Sequence, residues 1–159
     1  MGAGKSTIGR HLAREIGVAF VDTDELIAAR YGTIEALFAQ RGEAAFRALE
    51  FEAVQAALAR PPGIVALGGG AVTHAPTRVL LAEQALRVFL DVPAETLVAR
   101  LQRSRTVRPA IGSAPTIERV RSLLAEREPF YRECELIVAG PHATQAAFAH
   151  EIANRLPLA

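Results

Sequence analysis

Gly2-Ala3-Gly4-Lys5-Ser6-Thr7 opens the chain and decides how the rest is read. Gly-x-Gly-Lys-Ser is the back half of a phosphate-binding loop, in which glycines let backbone N–H groups close on polyphosphate oxygens. In that reading Lys5 reaches the β- and γ-phosphates and Ser6 offers a hydroxyl to Mg²⁺. Ile8, Leu12 and Ile16 follow at helical spacing, so the loop leads into an amphipathic helix from Lys5 to Ile16 that Gly17 stops. The front of the pattern, a further glycine and the strand that feeds the loop, would fall before residue 1. The sheet is therefore expected to show a gap where a central first strand belongs, and the chain as written to be incomplete.

Outward from the loop, short apolar runs alternate with helical patterns. Val18 to Val21 reads as a buried strand ending at Asp22, followed by helices over Glu25–Arg30, Ile34–Phe38 and Glu43–Arg60. Pro61-Pro62-Gly63 ends the last of these. A second strand, Ile64 to Leu67, runs into Gly68-Gly69-Gly70. A helix near Pro76–Ala82, a strand over Leu86–Asp91 and a helix over Pro93–Gln102 follow. Ser104 to Pro115 reads as a loop, Thr116–Arg127 as a helix, Leu136–Val138 as the last strand and Thr144–Leu156 as the last helix. This alternation implies βαβ units and one α/β domain over residues 1–159, a three-layer α/β/α sandwich around a parallel sheet. Ligands in such sheets bind at the carboxyl ends of the strands.

The bulk numbers agree. With 159 residues, half of them hydrophobic, the chain supports one packed core. A net charge of +1 provides no broad field for nucleic acid or a membrane surface, so any useful positive charge is local. The single cysteine, Cys134, excludes an internal disulfide, fits a reducing cytoplasm and reads as a small packing residue. The four histidines have no metal spacing. No apolar run is long enough to span a bilayer.

Four groups of residues have the chemistry for a phosphoryl transfer. Asp22 and Asp24, two apart at a strand end, can divide labour between Mg²⁺ and an attacking hydroxyl, although Asp and Thr there also suit a helix cap. Three consecutive glycines, 68–70, let a ligand touch the main chain. Arg47 and Glu50 share a helix face, either as a surface ion pair or as a carboxylate-binding arginine steadied by Glu50. Arg103, Arg105 and Arg108 crowd the 104–115 region, where an arginine-bearing lid would exclude water and neutralise charge in the transition state.

In order and spacing, these pieces resemble the shikimate kinase family. The matching stretches are Gly-Ala-Gly-Lys-Ser-Thr (2–7), Asp-Thr-Asp (22–24), Phe-Arg-x-x-Glu (46–50), Gly-Gly-Gly-Ala-Val (68–72), Val-Arg-Pro (107–109) and Arg-Glu-Pro-Phe-Tyr (127–131). The resemblance implies a P-loop fold of the nucleoside-monophosphate-kinase type and ATP-dependent phosphorylation of the 3-hydroxyl of shikimate, with Mg²⁺. It implies a nucleotide site at Gly2, Ala3, Gly4, Lys5, Ser6 and Thr7, with Ser6 and Asp22 serving the metal. It implies that Asp24 binds a substrate hydroxyl and acts as its base. Arg47, Gly68, Gly69, Gly70 and Arg127 would bind shikimate, within a helical region over 25–60 and the loop beyond it, with both arginines on the carboxylate. Arg108, from the lid, would meet the transferring phosphate, and Arg103, with residues around Gly140 and Pro141, would border the adenine. Lys5, Asp24 and Arg108 are thus the catalytic candidates. Ala110-Ile111 stand where the family usually has two leucines. A cytoplasmic monomer with shikimate and ATP as its partners is expected. Two alternatives remain: a non-catalytic ligand-sensing module on the same fold, and a kinase for another small hydroxy acid such as gluconate.

Overall fold

The computed structural model describes residues 2–103, 116–140 and 144–157. Helix α1 spans Lys5–Ile16, as its periodicity predicts, with Ile8, Leu12 and Ala13 buried along one face. Gly4 enters it at φ 89°, and Gly17, at φ 75°, ends it while the Val18 N–H returns to the Ala13 carbonyl. Left-handed backbone at both ends is why glycine occupies both places. Strand β1 (Ala19–Asp22) passes directly into α2 (Thr23–Tyr31), because Asp22 accepts from the N–H groups of Asp24 and Glu25 and caps the helix.

The two helices read over 34–38 and 43–60 are one assigned helix, α3 (Ile34–Leu58), broken at Gly42, whose φ of 76° and ψ of 174° are not helical. Strand β2 (Gly63–Ala66) pairs with β1 in parallel, Ala19 opposite Gly63 and Asp22 opposite Ala66. A short 3₁₀ turn at Ala71–Thr73, absent from the sequence reading, joins the glycine loop to α4 (Ala75–Gln84). Strand β3 (Val88–Asp91), helix α5 (Ala94–Arg103), helix α6 (Ile117–Tyr131), strand β4 (Leu136–Ala139) and helix α7 (Gln145–Arg155) complete the order. β3 and β4 are also parallel, Val88 opposite Leu136 and Asp91 opposite Ala139.

Among the described residues the strands form two separate two-stranded parallel sheets, β1–β2 and β3–β4. This is the gap the sequence anticipates. One core nevertheless serves both pairs. Ile8 and Leu12 of α1, Leu97 and Leu101 of α5, Val120 and Leu123 of α6, Val138 of β4 and Phe148 and Ile152 of α7 form a single buried cluster. Ile64 of β2 and Val88 and Leu90 of β3 pack against it. A smaller cluster, with Ile27, Leu37, Phe46 and Leu49, joins α2 to both arms of α3.

One boundary differs in a telling way. The helix expected to stop at Arg127 continues as α6 to Tyr131, through Pro129. A proline inside a helix removes one N–H and crowds the carbonyl four residues earlier, which is why the sequence predicts an end there. Tertiary contacts at Tyr131 hold the extra turn: its ring stacks on Phe89 of β3 with centroids 5.2 Å apart, and its hydroxyl is bonded to Gly69.

Candidate active site

The carboxyl ends of β1 and β2 deliver the central residues. Asp22 is the last residue of β1 and Asp24 lies in the first turn of α2. Ser6 Oγ donates to Asp22 Oδ2 at 2.5 Å, and Asp22 Oδ1 accepts from Asp24 N at 2.9 Å. Asp22 therefore has both readings at once, helix cap and partner of the phosphate-loop serine. Between the two aspartates Thr23 is fully buried; its hydroxyl donates to the Ala66 carbonyl and accepts from the Gly68 N–H, each at 3.3 Å. Thr23 thereby ties β1 to the loop that follows β2, a role that adjacency in sequence hides.

The glycine loop 68–70 is where the acceptor side of the site converges. A Cβ on Gly68 would overlap Glu50 Oε1 and lie 2.7 Å from Asp24 Oδ1. A Cβ on Gly70 would overlap the Arg47 guanidinium, with Cζ at 2.6 Å. Close approach, not backbone angle, favours glycine at both positions, since a Cβ would displace the end of Glu50 or Arg47. Arg127 Nη1 and the Tyr131 hydroxyl both donate to the Gly69 carbonyl, at 3.1 and 2.6 Å. Asp24, Arg47, Glu50 and Arg127, distant in sequence, thus meet around three residues of main chain.

Arg47 and Glu50 are a buried pair, not a solvated one: their side chains are 11% and 3% exposed. Arg47 also reaches Glu43, at 2.9 Å on the helix surface. Burial opposes the charge on Arg47, but Glu50 and Glu43 outweigh it and hold the guanidinium above its ordinary pKa. Burial pushes the Glu50 carboxyl up despite the attraction of Arg47, and the charge of Asp24 adds to the rise. The Nε atoms of Arg47 and Arg127 are buried and have no hydrogen-bond partner among the described residues. Two guanidinium groups with unsatisfied donors beside the main chain of a glycine loop suit a small anion, and a carboxylate is the geometric match to their forks.

The 2–7 loop, the expected nucleotide site, is held mainly by backbone shape. Gly2 and Gly4 have φ of 69° and 89°. Ala3 is buried in the main core, and Thr7 is exposed on α1. Arg103 stands exposed at the end of α5; the arginine that α5 brings to the loop is Arg100, whose Nη1 donates to the carbonyls of Gly2 and Ala3 at 3.3 Å. Nothing in the sequence distinguished Arg100 from its neighbours. Arg108, the 104–115 lid and Pro141 lie outside the described residues. No group of three or more His, Cys, Asp or Glu that could hold a metal occurs among the described residues. The hard oxygens of Ser6 and Asp22, 2.5 Å apart, instead fit a cation such as Mg²⁺ that takes most of its ligands from phosphate and water. Cys134 is half-buried, its thiol pushed up by burial, which agrees with a packing role.

A glycine-rich loop at a helix start, an aspartate pair at a strand end and buried guanidinium groups are the parts a kinase for a small anionic alcohol would need. The family model for shikimate kinase matches residues 1–157. The shikimate kinase of Mycobacterium avium is 44% identical over 158 residues, covering 98% of this chain and 89% of its own, and that of Thermobifida fusca is 43% identical over 160 residues, covering 99% and 91%. The structure is similar to that of Acinetobacter baumannii shikimate kinase in complex with shikimate, with a TM-score of 0.90 and 33% identity over 99% of this chain and 91% of that one. The enzyme from Bacteroides thetaiotaomicron gives a TM-score of 0.85 at 29% identity, over 96% and 90%. The chain belongs to the shikimate kinase family and, as a member of it, is a kinase that phosphorylates shikimate.

Proposed function

We propose that this chain transfers the γ-phosphoryl group of ATP to the 3-hydroxyl of shikimate, with shikimate held at the glycine loop and the nucleotide at residues 2–7. The observation that carries the placement is the convergence of Asp24, Arg47 and Arg127 on Gly68–Gly70. Arg47 and Arg127 take the substrate carboxylate, and the burial of both makes those charged hydrogen bonds strong. Asp24, next to Gly68, accepts the proton of the attacking hydroxyl. Glu50 neutralises Arg47 and fixes its plane, and its own bulk is accommodated by the missing side chain at Gly68.

On the other side, backbone N–H groups of the loop and the N-terminus of α1 face the phosphates, and Lys5 follows the migrating charge. Mg²⁺, when bound, would supply charge neutralisation for the phosphoryl transfer. Ser6 and Asp22 would hold it, Ser6 by its hydroxyl and Asp22 through water. Arg108, outside the described residues, would neutralise charge on the transferring phosphoryl group. The chain acts as a monomer in the cytoplasm on shikimate and ATP. No described helix is long and apolar enough to cross a membrane.

A coupled assay for shikimate-dependent ADP release tests the reading. Release that requires both shikimate and Mg²⁺, and that falls at least a hundredfold in Asp24→Asn, is the expected result. ADP release that ignores shikimate, or phosphorylation of gluconate in preference to it, would overturn it.

A further inference from the structure

The main-chain groups of the glycine loop are taken up unequally. The Gly68 N–H is held by Thr23, and the Gly68 carbonyl accepts from Ala71 N at 3.1 Å. The Gly70 carbonyl accepts from Thr73 N at 3.0 Å and from Thr73 Oγ1 at 2.7 Å. The Gly69 carbonyl has two donors, Arg127 and Tyr131. Among the described residues, the N–H groups of Gly69 and Gly70 have no partner.

Arg127 and Tyr131 lie four apart on α6, so they share a face and converge on one acceptor. A carbonyl has two lone pairs and can satisfy both. The two donors differ in how they are held. Tyr131 makes the shorter bond, and its ring is stacked on Phe89 at an interplanar angle of 25°, so β3 fixes the hydroxyl in place. Arg127 makes the longer bond, with its Nε unpartnered. If Arg127 turns its Nη1 toward a ligand carboxylate it gives up its bond to Gly69, and that part-buried carbonyl then depends on Tyr131 as its donor.

We propose that Tyr131 is a positioning residue for the acceptor substrate. Its hydroxyl keeps the Gly69 carbonyl satisfied while Arg127 exchanges that carbonyl for the shikimate carboxylate. It also fixes the loop so that the Gly69 and Gly70 N–H groups stay presented to the ligand. This rests on the reading that Arg127 binds the carboxylate.

Calorimetric titration of the full chain with shikimate, without nucleotide, tests it in the wild type, Tyr131→Phe and Arg127→Ala, alongside steady-state constants for both substrates. Tyr131→Phe keeps the ring and loses only the hydroxyl. Its shikimate Kd and KM are expected to rise about three- to tenfold, the range of one net hydrogen bond, with kcat and the KM for ATP within twofold of wild type. Phe89→Leu keeps the hydroxyl and loosens its ring, and is expected to move the same constants by a smaller factor. If Arg127→Ala weakens shikimate binding and Tyr131→Phe leaves it unchanged, the role of Tyr131 is overturned and the site reading stands. If neither changes binding, both are overturned. Equal losses for shikimate and ATP in Tyr131→Phe would mark a general structural role and also overturn the proposal.

Discussion

The two loops at the heart of this molecule are both glycine-rich, yet they are built in opposite ways. The phosphate loop, 2–7, owes its shape to positive φ at Gly2 and Gly4, and Ser6 ties it to Asp22 at the end of β1. The glycine loop, 68–70, needs glycine because charged side chains press against it from α2, α3 and α6. In the proposed function the first would recognise a generic ligand, polyphosphate, through backbone N–H groups. The second would recognise a particular small molecule through side chains collected from distant parts of the chain. Substitutions in the first should therefore spare the fold and reduce turnover, whereas those in the second should disturb folding and substrate affinity together.

The largest effect is expected for Glu50→Ala. It leaves Arg47 buried without its main partner, a loss of about 3–5 kcal/mol in unfolding free energy by denaturant titration. A loss under about 1 kcal/mol would mean that the pair is solvated and the contrast between the loops is false. Next, Lys5→Ala should reduce kcat about 10²- to 10³-fold and leave thermal stability and shikimate affinity nearly unchanged. A large fall in stability there would erase the distinction from the other side. Gly70→Ala sharpens it: the added methyl meets the Arg47 guanidinium, so shikimate KM should rise about tenfold or more while the KM for ATP holds, since the overpacking falls on the acceptor side alone.

The smallest effect lies away from both loops. Arg87 grips Glu135 at the start of β3 and β4 and holds its carboxyl down from 4.5 to about 2. A lowered carboxyl stabilises the fold above its ordinary pKa, and that contribution is lost as pH falls from about 4.5 through about 2. The Glu135 side chain is 45% exposed, so solvent screening reduces the gain to about 1 kcal/mol or less. Stability measured against pH for wild type and Glu135→Gln should differ slightly near neutrality and converge at the acid end of that window.

What could be read in advance follows the same division. Local signals placed α1 between its two glycines, separated the arms of α3 at the Gly42 break and put Asp22 and Asp24 at a strand end. The division of the strands into two pairs among the described residues matches the gap expected in the sheet. The acceptor site was legible as motifs but not as a structure. Arg47 with Glu50 could equally have been a surface pair, because helix spacing does not reveal that Gly68 lies opposite. The extra turn of α6 depends on Phe89, more than thirty positions away, so a local rule about proline had to miss it. Arg100 and Thr23 act through carbonyls and N–H groups of other segments, for which sequence has no marker.

The central claim is that a carboxylate is recognised at the glycine loop by Arg127 together with Arg47. Shikimate and its methyl ester differ in that one charge. Calorimetric titration of both ligands into the wild type and Arg127→Ala isolates it directly. The wild type should prefer shikimate over the ester by about tenfold or more, and Arg127→Ala should lose most of that preference, because the charged hydrogen bond from Arg127, about 1.5–3 kcal/mol, is then absent for both ligands. An Arg127→Ala variant that still discriminates as strongly as the wild type would place the carboxylate elsewhere and contradict the site.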